Sequence, residues 1–348
     1  MITTSDLKST IKEIIKIHNV IMISGAPGIG KSEITYQAAN ELGMKLYETR
    51  LYEMGEAAVG FPKVHGEITE FSKPFWFHEC EEGNYDILFL DDFHLVVPGI
   101  QKFLYRLFTD RMMHNYKLKN NPKIIIAGNF DIDSASSCQI QSPIMGRVEC
   151  FIKYEPNIDV FLEWAKGEMD RFDTRILAFL TSNPDLLFDS DPAPSVKYPS
   201  PRSWEHLSRN IRILNKPDYS PAIIGPKAGA IFSDFWEFLS KSVSSILNSK
   251  PQDIKEECIY AIILSNNIAR DISKYKGKLN DQMRKIFKYV SRNLSVDTSF
   301  IFARNAYQNI NKEDKQGRLN LVKILQKEFP EIAKNIMDII IRKDKLMN

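Results

Sequence analysis

The 348 residues include 46 Lys and Arg against 44 Asp and Glu, a net charge of +2, which excludes a surface that grips nucleic acid all over but leaves a local basic groove open. No apolar run approaches the roughly 20 residues of a membrane-spanning helix, so no membrane association is expected. A charged fraction of 26% is ordinary for a soluble globular protein, and the length allows two domains or one core with helical additions.

In chain order, the N-terminus reads as an amphipathic helix over Asp6–Ile17 with no signal-peptide stretch, which predicts a cytoplasmic chain. Val20–Ile23 is an apolar run suited to a buried parallel strand, followed by a glycine-rich turn and a helix from Lys31 to Leu42. Lys45–Leu51, Ile87–Leu90 and Lys123–Ala127 continue as strands. Gly99–Asp110 carries Ile100, Phe103, Leu104 and Leu107 at helical spacing. Such alternation predicts a doubly wound α/β domain with a largely parallel sheet. After about Ile152 the pattern becomes helical: Asp159–Met169, Thr174–Leu180 and, beyond a loop at Asp189–Pro201, Ser203–Leu214. Helices are then expected over Ala228–Leu247, Asp253–Ile272, Leu279–Leu294, Thr298–Asn309 and Leu319–Arg342, with a frayed tail from Arg342.

Cys80, Cys138, Cys150 and Cys258 have no paired spacing, and His78 beside Cys80 lacks a second ligand pair. Reduced, mostly buried thiols are expected.

Gly25-Ala26-Pro27-Gly28-Ile29-Gly30-Lys31-Ser32 fits GxxxxGK[ST] at every fixed position, with a strand before it and a helix after it. Glycines let successive backbone N–H groups curl around phosphates, and the helix adds its positive end. Lys31 is placed to reach the β- and γ-phosphates of ATP, Ser32 to ligate Mg2+, and Glu33 lies in the first helical turn. Ile87–Leu90 then delivers Asp91 and Asp92 to the rim where α/β sheets bind ligands. Asp91 is the candidate second metal ligand. Asp92 is the candidate base for the attacking water. His94 follows closely, either as a contact to this network or as a plain polar residue starting the next segment.

Together these motifs resemble the AAA+ ATPases, and within them the MoxR-like branch, over about Asp6 to Leu214. Ile124-Ile125-Ile126-Ala127-Gly128-Asn129 resembles the sensor 1 strand, with Asn129 positioning water. Ser142-Pro143-Ile144-Met145-Gly146-Arg147-Val148 resembles the arginine-finger segment, with Arg147 acting on a neighbouring subunit's ATP. Pro199-Ser200-Pro201-Arg202-Ser203-Trp204 resembles the sensor 2 start of a lid helix, with Arg202 facing the γ-phosphate; stacking between Pro201 and Trp204 is the competing reading. Val59-Gly60-Phe61-Pro62 and the β-like stretch to Pro74 and Trp76 are similar to the helix-2 insert of that branch.

The resemblance implies a P-loop parallel-sheet core over 1–155, a helical lid over 156–218 and a helical C-terminal domain over 219–348. It implies an ATP- and Mg2+-dependent hydrolase that forms a homo-oligomeric ring, commonly of six, and remodels a protein client, with a von Willebrand factor A domain partner. The family usually has Asp-Glu where this chain has Asp91-Asp92, which leaves slow turnover, or a nucleotide-switched scaffold, as an alternative. A nucleic-acid motor or loader is another: Arg111, His114, Tyr116, Lys117, Lys119 and Lys123 form a basic segment with aromatic interleaving, and Lys274–Lys288 is a second lysine-rich stretch. A solvated face accounts for both equally well.

Overall fold

Val20–Ser24, Ile87–Leu90 and Lys123–Gly128 are runs of aliphatic residues buried almost throughout, as strands covered on both faces must be. In the computed structural model they form the middle of a six-stranded sheet in which every neighbouring pair is parallel. The structure describes residues 2–130, 140–168, 171–190, 193, 196–239, 241–272, 279–310, 314–330 and 333. Cys138, residues 274–278 of the lysine-rich stretch and the tail from 334 lie outside these.

The strands are β1 (Ile2–Thr4), β2 (Val20–Ser24), β3 (Leu46–Thr49), β4 (Pro62–His65), β5 (Ile68–Phe71), β6 (Ile87–Leu90), β7 (Met112–Met113), β8 (Tyr116–Lys117), β9 (Lys123–Gly128) and β10 (Cys150–Tyr154). The main sheet has the order β1-β10-β2-β9-β6-β3. Ser24 lies opposite Gly128, and Leu90 opposite Ile126, so the segments that follow β2, β9 and β6 all leave from one rim. This is the doubly wound core expected from the alternation of elements.

Two strands of the main sheet were not expected. Ile2-Thr3-Thr4 pairs with β10 instead of extending the first helix, because its β-branched residues suit an edge strand and Asp6 caps α1 (Leu7–Ile14) by accepting from the Ser9 N–H at 3.1 Å. Cys150–Tyr154 alternates buried and half-buried residues between β1 and β2. The Gly99–Asp110 helix is broken into Pro98–Gln101, a tight turn at Lys102–Leu104 and Tyr105–Asp110, although Ile100, Leu104 and Leu107 are buried as the spacing requires. At the break, the buried Gln101 amide donates to Val96 O and its oxygen accepts the Gln141 N–H.

Two antiparallel hairpins leave the sheet, β4–β5 and β7–β8. They bind each other. The Tyr116 hydroxyl donates to Phe71 O at 2.8 Å, the Phe71 and His114 rings stack at 4.1 Å, and His114 Nε2 lies 2.7 Å from Val59 O.

The chain divides into two units, Met1–Asn157 and Ile158–Asn348. The second is helical among its described residues. Phe179, Trp204, Phe232 and Phe235 form a buried ring cluster, and Ile254–Ile272 is buried along most of its length. The helix expected over Ala228–Leu247 is two helices, Pro226–Phe238 and Val243–Leu247, the second capped by Ser242. Arg304 is fully buried here. Its guanidinium donates to the carbonyls of Ala165, Glu168 and Phe172, and burial pushes its pKa down to about 9, so it stays cationic at neutral pH.

Cys80, Cys150 and Cys258 are free and buried, and burial pushes the Cys80 thiol up to about 12. His78 gathers with Glu81 and Glu82, not with Cys80, their ligand atoms lying within 4.8 Å of one another. Lys73 and Lys119 already pair with those carboxylates.

Candidate functional site

The turn from β2 into α2 (Lys31–Glu41) has the geometry its glycines demand. Gly28 and Gly30 adopt φ of +76° and +97°, which side chains with a Cβ resist. At Gly25 a Cβ would lie 2.8 Å from both Ile29 Cδ1 and Tyr154 O, so the loop closes tightly on the end of β10. Gly25 N–H donates to Gly128 O at 3.2 Å, which fixes the loop to the end of β9. Gly30 begins α2 with no side-chain cap, leaving the first-turn N–H groups facing the loop. Glu33 lies in that turn and bonds to Gln37. Lys31 Nζ donates to Gly25 O at 2.8 Å and Ala26 O at 2.9 Å, so the cation already sits inside the loop's curve.

Across this loop stands the carboxylate from β6. Ser32 Oγ donates to Asp91 Oδ2 at 2.7 Å, over a sequence separation of 59 residues. Asp91 is buried, and its other oxygen accepts the Asp92 N–H at 3.0 Å. Asp92 is half-buried with φ of +50°, a left-handed backbone uncommon for a residue with a Cβ, and it turns the chain sharply off the strand.

Asn129 follows β9, between the segments from β2 and β6. Its buried Oδ1 and the buried Nδ1 of His94 have no hydrogen-bond partner among the described residues. His94 packs edge-on to Phe130, and a Cβ at Gly128 would approach both rings within about 3 Å of their nearest atoms. Burial lowers the His94 pKa, Lys31 lowers it further, and Asp92 and Asp91 act in the opposite sense. The ring is therefore neutral at pH 7.

Residues 25–32, Asp91, Asp92 and Asn129 thus come together. Arg147 does not join them. Its Nη1 donates to Pro143 O at 2.6 Å and its guanidinium lies over the Tyr105 ring at 5.6 Å, and none of these partners is in the loop. Arg202 belongs to the second unit, exposed in the first turn of Pro201–Leu214, a helix started by a Ser200–Ser203 capping box. Trp204 is buried in its own ring cluster and its indole N–H donates to Leu186 O; no ring contact to Arg202 exists among the described residues.

Arg50 was missed by the sequence reading. It follows β3 and sets Nη2 3.0 Å from Glu48 Oε1 and 3.7 Å from Asp91 Oδ2. Burial pulls its pKa down, but Glu48, Asp91, Asp92 and Glu53 together hold it above its ordinary value. Its position directly after a strand ending on the same rim as Asp91 was the available signal.

The basic segment is largely consumed by structure. Arg111 is buried, donating to Pro122 O, Phe108 O, Leu107 O and Asn19 O. His114 holds Val59, Lys119 pairs with Glu82, and Lys123 donates to Asn19 Oδ1.

The donor set suits magnesium. A hydroxyl and a carboxylate oxygen held within 3 Å of each other are hard ligands, and Mg2+ usually takes only one or two from a protein while phosphates and water supply the rest.

Residues 21–154 match the family model described as ATPase family associated with various cellular activities (AAA). This stretch is an AAA-family ATPase domain. Holliday junction branch migration complex subunit RuvB of Anaeromyxobacter sp. (strain Fw109-5) is 30% identical over 90 residues, which is 26% of this chain; the chain spans 22% of that relative's length. Among solved structures, a Thermotoga maritima RuvB mutant is 12% identical with a TM-score of 0.33, covering 84% of this chain and 81% of its own. NtrX from Brucella abortus in complex with ADP is 13% identical with a TM-score of 0.43, covering 92% and 67%. In the AAA domain described here, the matched residues run from the second residue of β2 to the last of β10 and include the loop, both aspartates, Asn129 and Arg147.

Proposed function

We propose that this chain is a magnesium-dependent ATPase that works as a ring oligomer, in the manner of the MoxR-like branch, to remodel a protein client or complex. The observation that carries the catalytic half is the 2.7 Å bond joining Ser32 to Asp91, which puts two oxygen ligands beside a glycine loop that already holds a lysine. Bound there through Ser32 and Asp91, Mg2+ would neutralise charge on the β- and γ-phosphates. Loop N–H groups and Lys31 hold the phosphates, Asp92 takes the proton of the attacking water, and Asn129 orients that water with an amide oxygen that has no partner among the described residues. In this reading 156–218 serves as a lid carrying Arg202, 219–348 is a helical C-terminal domain, and a von Willebrand factor A domain protein is the candidate partner.

Asp92→Asn is expected to bind ATP normally while turnover falls about a hundredfold, because the base is lost and the phosphate contacts are kept. Isothermal titration beside a phosphate-release assay measures both, and turnover near wild type would remove Asp92 from the chemistry.

Among the described residues the Arg147 guanidinium contacts one carbonyl and one ring face, which suits it to serve a neighbour. Arg147→Ala is expected to keep ATP binding and slow turnover about a thousandfold. Mixing it with the binding-dead Lys31→Ala protein should restore part of the activity, as the intact finger of one subunit meets the intact loop of the other. No rescue at any mixing ratio would remove the ring.

A protein client is favoured by the exposed apolar residues around the outer hairpin, Phe61, Val64, Ile68 and Phe75, each more than half exposed. The name of the curated relative supports a second reading, a motor acting on branched DNA. Affinity capture with Asp92→Asn in magnesium and ATP, with and without nuclease, separates the two. A protein that survives digestion supports the first, and nucleic acid with partners lost on digestion supports the second.

A further inference from the structure

Asp91 Oδ2 faces two donors at once. The Ser32 hydroxyl is 2.7 Å away and the Arg50 guanidinium 3.7 Å away, so the oxygen best placed to ligate a metal already has a cation beside it. Arg50 also has a closer alternative. Its same nitrogen, Nη2, is 3.0 Å from Glu48 Oε1, and Nη1 lies 3.8 Å from Glu53. Glu48 is held by a third party, because the Tyr36 hydroxyl from α2 bonds to its other oxygen. Asp91 is nearly buried at 5% side-chain exposure, whereas Arg50 is 43% exposed and able to move. One mobile cation therefore stands between a fixed carboxylate and a metal-binding carboxylate.

We propose that Arg50 is a positioning residue that occupies the metal's electrostatic place on Asp91 when no divalent ion is bound and withdraws onto Glu48 when the ion enters. The inference rests on the magnesium-nucleotide reading of this site and names the chain's own competitor for the metal. Two cations sharing one carboxylate oxygen repel each other, so metal entry must displace the guanidinium, and Glu48 supplies the place for it to go. Tyr36 makes that place permanent. Arg50 then sets how much divalent ion the site requires, without touching substrate.

The sign of this role differs from that of a structural brace. Removing Arg50 takes away a competitor and should tighten metal binding. Removing the Glu48 charge leaves Arg50 with Asp91 as its best partner and should weaken it. The test is titration of Mn2+ into the full-length protein with ADP, following free Mn2+ by electron paramagnetic resonance and subtracting Mn2+ bound to ADP alone. Arg50→Gln is expected to bind Mn2+ about fivefold more tightly than wild type, Glu48→Gln about fivefold more weakly, and Arg50→Lys close to wild type. The double variant should follow Arg50→Gln, since Glu48 acts through Arg50. Effects of the same sign in both single variants, or none, would overturn the proposal. Melting curves for each variant identify one that has failed to fold, in which case Arg50→Met or Glu48→Ala, which also remove the charge, supplies the same comparison. Wild type that binds no Mn2+ with ADP would instead sink the magnesium reading of the site, and this proposal with it.

Discussion

Lys31→Ala is expected to weaken ATP binding about a hundredfold while leaving the melting temperature nearly unchanged. The ammonium lies in the curve of the loop, bonded to the Gly25 and Ala26 carbonyls, and no other lysine belongs to that turn. A charge-assisted hydrogen bond to phosphate contributes about 1.5–3 kcal/mol, and the cation also offsets repulsion among the phosphate oxygens. Loss of the two carbonyl bonds has little effect on the fold, because they lie within one turn that is exposed at Pro27 and join no separate elements. Isothermal titration with ATP, read beside a thermal melt, checks both halves. Affinity within a few-fold of wild type would mean that the turn is not a phosphate loop.

Arg304→Met should destabilise the second unit by about 3 kcal/mol, equivalent to a fall of ~10 °C in Tm. The arginine is buried with no ion pair among the described residues; its Nη1 and Nη2 donate to the carbonyls of Ala165, Glu168 and Phe172, at the end of Ile158–Gly167 and in the turn after it. Ala165 O and Glu168 O also accept backbone N–H groups, so the loss falls mainly on Phe172 O, and a buried acceptor left unpaired costs about 1–3 kcal/mol. Methionine fills most of the volume, so the loss reports the hydrogen bonds rather than a cavity. Differential scanning calorimetry is the measurement, and a shift below ~2 °C would show that water replaces the guanidinium.

The sheet was legible because each strand that carries the site is a short run, apolar at all but one end, with a turn signal behind it, the pattern of a doubly covered strand. Asp91 was legible because it follows such a run directly, and Ser32 because it closes the glycine motif that follows another. β1 was not, since three β-branched residues before a capped helix look the same as the start of that helix until β10 is present to pair with them. Arg304 and Arg111 were invisible for a different reason. An arginine that ends buried against backbone carbonyls has no local pattern, and Arg111 was consequently read as part of a basic stripe when it lies at 2% exposure inside the unit. Arg50 lay between these cases, with its rim position readable but its partner Glu48, two residues back on the same strand, ambiguous without coordinates.

The pairing of the two hairpins has a mechanical consequence. With Phe71 stacked on His114 and hydrogen-bonded to Tyr116, a tug on the exposed outer hairpin cannot bend it alone; the load passes into β7–β8. From there a few residues of chain lead to Lys123, and β9 runs straight to Gly128, whose carbonyl anchors Gly25. Traction at the surface and the set of the glycine turn are therefore joined by a short, stiff tether, with one end on the periphery and the other at Gly25.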